Sequence, residues 1–188
     1  AFTRRDETAG TMWDIITTPY EPGYMTRGDL IANNTVIISD DGGTQNSGAV
    51  AGIAVQNATE PQIYNNAILF RDGSFDPGSP VASAIFYQGP MPGEGGLISD
   101  RNAYCLGNSG GTIYRFIETD MESNVLEAGH RDEFASLNQW QLWTEQDMNS
   151  VTGNFWGDLD FFGNPPYELR INDVPQLPEG SILNNRGK

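Results

Sequence analysis

The eight residues from Ile63 to Phe70, "IYNNAILF", nearly copy "IANNTVII", Ile31 to Ile38, and Asn66 stands 32 positions after Asn34. Both runs are rich in aliphatic residues, are too short for ordinary helices, and end in Asp and Gly clusters at Asp40 to Gly43 and Asp72 to Gly73. They read as strands. A degenerate third copy, "ISDRNAYCL" from Ile98 to Leu106, keeps Asn102, 36 positions after Asn66. Further short apolar runs lie between the copies, at Ala51 to Asn57 and Ala82 to Gln88. Each is separated from its neighbours by Gly-, Pro- and Asp-rich excursions over 40–48, 72–80 and 89–96. No helix of ordinary length fits inside such a period, which argues against alternating strand and helix units.

A repeat of this length makes a specific fold prediction. If each period is one turn of a parallel solenoid, matching residues lie about 4.8 Å apart along its axis. Asn34, Asn66 and Asn102 can then form a structural ladder, each side-chain amide donating to one neighbour and accepting from the other. Such a ladder satisfies polar groups that would be costly to bury singly. The competing reading takes each asparagine pair as an ordinary surface turn.

The repeat fades after about Phe116. From the pattern, residues 1–29 form an incomplete first turn or entry segment, 30–116 the regular turns, and 117–188 a loop, a short helix and an irregular cap. The helix is expected within "FASLNQWQLWTEQD", where Ser136 and Gln139 have capping-box spacing and Leu137, Trp140 and Trp143 or Thr144 recur on one face. Its tryptophans read as packing against the repeats. A solenoid end exposes backbone and core, so the tail beyond Gly153 is expected to cover it, with Tyr167 to Ile171 as a last strand.

The balance of charge narrows the partners. With 25 acidic and 10 basic residues, a formal charge of −15, the surface would repel nucleic acid and anionic membrane. No apolar run is long enough to insert in a bilayer. One cysteine and one histidine, Cys105 and His130, exclude a disulfide framework and an all-histidine metal cluster. Abundant carboxylates keep binding of a hard cation such as calcium open. The chain begins without methionine and reads as a processed product or a fragment, so further N-terminal turns or a companion chain are expected partners.

"ANNTVI" and "YNNAIL" resemble the coils of right-handed parallel β-helix proteins. "SDRNAYCLGNSGG", "FASLNQWQLWTEQDMNSVTGNF" and "YELRINDVPQLPEGSILNNRG" are similar to the final section of secreted bacterial, pectate-lyase-like members of that group. The likeness runs from about Leu30 to Gly187. It departs most at Gly180 to Gly187, where Ile182 and Leu183 replace the usual Pro and Ala. It implies an all-β, right-handed parallel β-helix solenoid with a short helix and an irregular C-terminal cap. It also implies an extracellular or cell-surface location and a polysaccharide or other glycan as partner. Relatives include lyases and glycoside hydrolases as well as structural surface and fibre proteins, so the fold does not choose between catalysis and a structural role.

Within the repeat register, Asp40 falls on Asp72, with Asn108 next and Asp41 and Asp100 nearby. Two carboxylates about 5 Å apart suit acid–base catalysis or a cation site, which makes Asp40 and Asp72 the candidate catalytic pair and Asp40, Asp41 and Asp72 the candidate metal ligands. The plainer alternative is that they are turn residues bonded to local backbone. Arg71 and Arg101, with Arg115, are candidates for neutralising a uronate. His130 is a weak candidate base. Tyr87, Tyr104 and Trp156, with Tyr114 and Trp13, are candidates for stacking on sugar rings. No nucleotide loop, zinc-protease helix or nucleophile elbow is present.

Overall fold

The computed structural model describes residues 4–5, 12–17, 25–38, 50–70, 82–93, 95–106, 111–120, 126 and 129–153. Within them the chain is mostly β-strand in parallel sheets, with one short helix. The first strands are β1 (Arg4–Arg5), β2 (Met12–Thr17), β3 (Thr26–Arg27), β4 (Leu30–Ala32) and β5 (Thr35–Ile38). A second set follows: β6 (Val50–Gln56), β7 (Ala58–Thr59), β8 (Gln62–Tyr64) and β9 (Ala67–Phe70). Then come β10 (Ala82–Gly89), β11 (Ile98–Asp100), β12 (Ala103–Cys105), β13 (Thr112–Glu118) and β14 (Arg131–Phe134). Helix α1 (Leu137–Thr144) and β15 (Val151–Thr152) end the described chain.

Strands of like position pair with one another. β2, β6, β10 and β13 run parallel in one sheet, whose two edges carry β1 and β14 antiparallel. β4, β8 and β11 form a second parallel sheet, and β5, β9, β12 and β15 a third. Leu30 faces Gln62, which faces Ile98; Thr35 faces Ala67, which faces Ala103. These are the offsets that separate Asn34, Asn66 and Asn102, so the repeat in the sequence is also the repeat of strand pairing.

Registered rows of side chains fill the core. Ile53, Ile85 and Tyr114 make one row, Val55, Tyr87 and Phe116 the next, and Val36, Ile68 and Tyr104 face them from another sheet, all buried. Each aliphatic member contributes about 1.5–3 kcal/mol of transfer free energy. The period-two alternation of a strand puts Ile31 and Ile63 inside while Leu30, on the opposite face, is exposed.

Each asparagine pair divides two tasks at the corner between sheets. Asn33, Asn65 and Arg101, the first member of each pair, have φ of 59°, 54° and 58°. That left-handed conformation costs most L-residues about 1–2 kcal/mol and is tolerated best by Asn and Asp. The second member, Asn34, Asn66 or Asn102, immediately precedes the next strand. Helix α1 opens with the full capping box: Ser136 Oγ accepts from the Gln139 N–H and Gln139 Oε1 accepts from the Ser136 N–H.

The stretch after Phe116 also supplies sheet. Val151 pairs with Ala103 across a 48-residue separation, so β15 extends the β5, β9, β12 sheet from inside the region expected to be loop, helix and cap, at a place where no strand was expected. The expected strand at Tyr167 to Ile171 and the rest of the tail lie outside the described residues.

Candidate functional site

The corner asparagines are joined by hydrogen bonds from repeat to repeat. Asn34 Nδ2 donates to Asn66 Oδ1 at 3.0 Å, and Asn66 Nδ2 donates to Asn102 Oδ1 at 3.1 Å. The same oxygens accept the backbone N–H groups of Asn34 and Asn66 at 3.1 and 3.0 Å. The amides also donate to carbonyl oxygens of Ala32, Ile31 and Ile63. Asn66 and Asn102 are 2% and 1% exposed, so this satisfaction is needed to bury them.

The series ends on a different chemistry. The Asn102 N–H donates to Ser150 Oγ at 2.8 Å, so Ser150, just before β15, occupies the next rung. Asn102 Nδ2 reaches Asp147 Oδ1 at 3.1 Å. Asp147 is 1% exposed, and its carboxylate accepts from four further donors: Tyr104 OH at 3.1 Å, Ser150 OH at 2.5 Å, Tyr114 OH at 2.7 Å and Trp140 Nε1 at 3.0 Å. None of these five donors is a cation. A carboxylate out of water is tolerated here because charge-assisted hydrogen bonds replace its hydration.

Local structure sets each donor. The capped helix brings Trp140 onto Tyr114, their rings stacked at 3.8 Å and 7°. The helix stops at Glu145, and Asp147 follows with φ of 56°. Its N–H donates to the Ser99 carbonyl at 2.7 Å, while its own carbonyl accepts from Gln141 Nε2 at 2.7 Å. Burial first, and then the Asp147 charge, push the Tyr104 and Tyr114 phenols well above their ordinary value, so both remain donors. Protein donors bond both oxygens of Asp147, so this network joins helix α1 and the Ser150 rung to the sheets.

Two of the residues assigned to sugar contact are corrected. Tyr87 is fully buried, its ring stacked with Phe116 at 5.5 Å and its hydroxyl donating to the Pro90 carbonyl at 2.9 Å. Tyr104 is 1% exposed and serves Asp147. Neither offers a ring face to a ligand, because both project from rows that form the core. Tyr114 is likewise internal.

Arg101 is exposed at the third corner. Arg115 lies over the Phe86 ring at 5.7 Å, with Glu133 3.7 Å from its Nε. His130 is half-exposed beside Asp132, Nδ1 to Oδ2 3.2 Å, with its ring edge on Trp143. Asp40, Asp41, Arg71, Asp72, Asn108 and Trp156 lie outside the described residues, as does the side chain of Trp13. The strand ends that lead to the two aspartates are registered: Ile38 pairs with Phe70, two positions before Asp40 and Asp72 respectively. Among the described residues no group of three or more His, Cys, Asp or Glu side chains is placed to hold a metal ion.

Asp147 and Ser150 were not singled out by sequence reasoning. The available signal was "NSV" before β15, a small polar residue followed by a β-branched one, as Asn66 and Asn102 are followed by apolar residues. No family model, curated protein or solved structure matches the chain.

Proposed function

We propose that this chain is part of a right-handed parallel β-helix in an extracellular or cell-surface protein that binds or degrades a polysaccharide. The observation that carries the reading is the in-register return of the chain to the same parallel-paired sheets. Excursion 39–49 leaves after Ile38 and re-enters at Val50; excursion 71–81 leaves after Phe70 and re-enters at Ala82. Ile38 pairs with Phe70, and Val50 pairs with Ala82. Successive excursions therefore start and finish side by side, an arrangement suited to lining a groove for an extended polymer. In this reading Asp40 and Asp72 act as an acid–base pair, or with Asp41 as ligands for calcium, and Arg71 and Arg101 meet acidic groups of the glycan. The acidic surface disfavours nucleic acid, and among the described residues no helix is long and apolar enough to cross a membrane.

The burial of Tyr87 and Tyr104 favours a second reading, a non-catalytic structural, adhesive or fibre module. A polysaccharide panel separates the two, assayed with and without calcium for reducing-end release and for ultraviolet absorbance from unsaturated sugars. Turnover that is lost in Asp40→Asn or Asp72→Asn supports the enzymatic reading. Retention of a glycan without turnover supports binding alone. Neither turnover nor binding across the panel leaves the structural module.

A further inference from the structure

Alternation along the strands gives each sheet one face toward the core and one away from it. On the sheet of β5, β9, β12 and β15 the outward pair Leu69 and Cys105 is fully buried, and on the six-stranded sheet the outward Ala54 and Phe86 are 0% and 7% exposed. The sheet of β4, β8 and β11 differs. Its outward row Leu30–Gln62–Ile98 is open at both ends, with Leu30 66% and Ile98 38% exposed. Two positions on, half-buried Tyr64 shares that face, between Ala32 and Asp100. Arg101 follows at the corner, exposed, with φ of 58°, where the equivalent residues are Asn33 and Asn65. Arginine suits that left-handed backbone less well than asparagine, and such outliers point to function. Among the described residues no carboxylate pairs with its guanidinium. The adjacent Asp100 accepts instead from the Asn149 N–H and side-chain amide, both at 2.8 Å.

We infer that the outward face of β4, β8 and β11 is a second glycan-binding surface, apart from the proposed Asp40 and Asp72 pair, on which an acidic sugar sets its carboxylate or sulfate against Arg101 and its ring against Tyr64. The inference rests on the glycan reading above but differs in place. Arg101 stands at the corner before β12, whereas Ile38 and Phe70, which lead to Asp40 and Asp72, are the opposite ends of β5 and β9. Charge selects the occupant. The whole chain carries −15, but screening limits each charge to about 8 Å at physiological ionic strength. An anion at this corner therefore meets first an unpaired guanidinium, whose fork of N–H donors suits an oxyanion. Strand geometry sets the Tyr64 and Arg101 Cα atoms about 6 Å apart, close enough for one sugar residue to touch both side chains. Exposed Leu30 and Ile98 beside a phenol and the Gln62 amide supply the mixed apolar and polar lining that a sugar ring requires.

The test is calorimetry on the full chain with an oligouronate, its carboxyl-reduced counterpart and a sulfated oligosaccharide. Wild type is compared with Arg101→Asn, Tyr64→Ala and a charge control, Arg131→Asn, at an exposed position of β14. Arg101→Asn installs the residue type of the other two corners, so its unfolding midpoint should not fall. Loss of a charge-assisted hydrogen bond predicts acidic-sugar binding at least about tenfold weaker in Arg101→Asn, with no change in Arg131→Asn. Tyr64→Ala should weaken binding several-fold. Methyl NMR signals of Leu30 and Ile98, but not of buried Ile53, should shift on binding. If Tyr64→Ala fails to fold, Arg101→Asn and the methyl signals decide. A preference between the uronate and the sulfated sugar identifies the anion. Equal affinity for the reduced sugar, unchanged affinity in Arg101→Asn, or unmoved Leu30 and Ile98 signals overturns the second surface, whether or not turnover depends on Asp40 and Asp72. Self-association in sedimentation that Tyr64→Ala abolishes, with no glycan bound, assigns the face to a second copy and overturns it too. Absence of binding to every glycan overturns both this inference and the reading beneath it.

Discussion

The Tyr114 hydroxyl donates to Asp147 Oδ2 at 2.7 Å although 33 residues separate them in sequence. Tyr114 belongs to an interior row of the six-stranded sheet, whereas Asp147 follows the helix, so this bond joins the sheet to the segment after α1. Tyr114→Phe removes it with little change in packing. The variant is expected to lose about 1.5–3 kcal/mol of unfolding free energy, the usual range for a hydrogen bond to a charged group. Urea denaturation should show a lower midpoint with an unchanged slope.

Alkali should act on the same place. The folded-state values of Tyr104 and Tyr114 are raised well above 10.0, chiefly by burial and then by the Asp147 charge. Above the ordinary phenol value the unfolded chain has released these protons while the folded chain still holds them. The stability they contribute is therefore fully present below pH 10 and is lost as pH rises through the folded values. Thermal midpoints measured upward from pH 9 should fall steeply beyond about 10, and less steeply in a Tyr104→Phe, Tyr114→Phe double variant.

Substitutions at the corners should separate the two asparagines of each pair. Asn66→Ala removes the acceptor for the Asn34 N–H and the donor to the Ile31 carbonyl, and is expected to cost about 2–4 kcal/mol. Asn34→Ala, at the half-buried end of the series, should cost about 1 kcal/mol. Asn65, at φ 54°, should accept Gly with little change, whereas Asn65→Val should cost about 1–2 kcal/mol. Chemical denaturation of the four variants gives the ranking.

Binding experiments should distinguish core from surface aromatics and cations. Tyr87→Phe and Tyr104→Phe are expected to lower stability while leaving glycan affinity per folded molecule unchanged, because both rings are internal. Arg101→Ala, at an exposed corner, should leave the melting temperature within about 1 °C, since isolated surface changes are near neutral. If the proposed glycan contact is made there, affinity falls in that variant alone; calorimetry on the best polysaccharide from the panel measures both.

The offsets of the strand ladders were readable because Asn34 and Asn66 sit in almost identical surroundings, and residues that must face the same neighbours in every repeat stay recognisable. The capping box was readable because Ser136 and Gln139 act within four residues. The αL role of Asn33, Asn65 and Arg101 was hidden, since the third corner uses an arginine and breaks the pattern. Ser150 was hidden by the 48 residues separating it from Asn102, and Asp147 by the other acidic residues that look the same in sequence. The direction of Tyr87 and Tyr104 could not be fixed either. Tyr87 follows Phe86 on β10, and these two take opposite faces of a sheet that is covered on both, so hydrophobicity alone did not tell core from surface.

In-register parallel stacking of the repeats is tested most directly by cross-linking two side chains on the outward face of β4 and β8. In a Cys105→Ala background, Leu30→Cys with Gln62→Cys places the new thiols on directly paired residues. Paired Cα atoms about 4.8 Å apart fall inside the disulfide range of about 4.4–6.8 Å, whereas Leu30→Cys with Tyr64→Cys is two residues out of register and about 8 Å apart. Under mild oxidation the Leu30–Gln62 pair is predicted to cross-link rapidly and nearly completely, with the Leu30–Tyr64 pair left largely reduced. Equal yields for the two pairs, or a preference for Leu30–Tyr64, would contradict the stacking on which the asparagine ladder and the proposed glycan site depend.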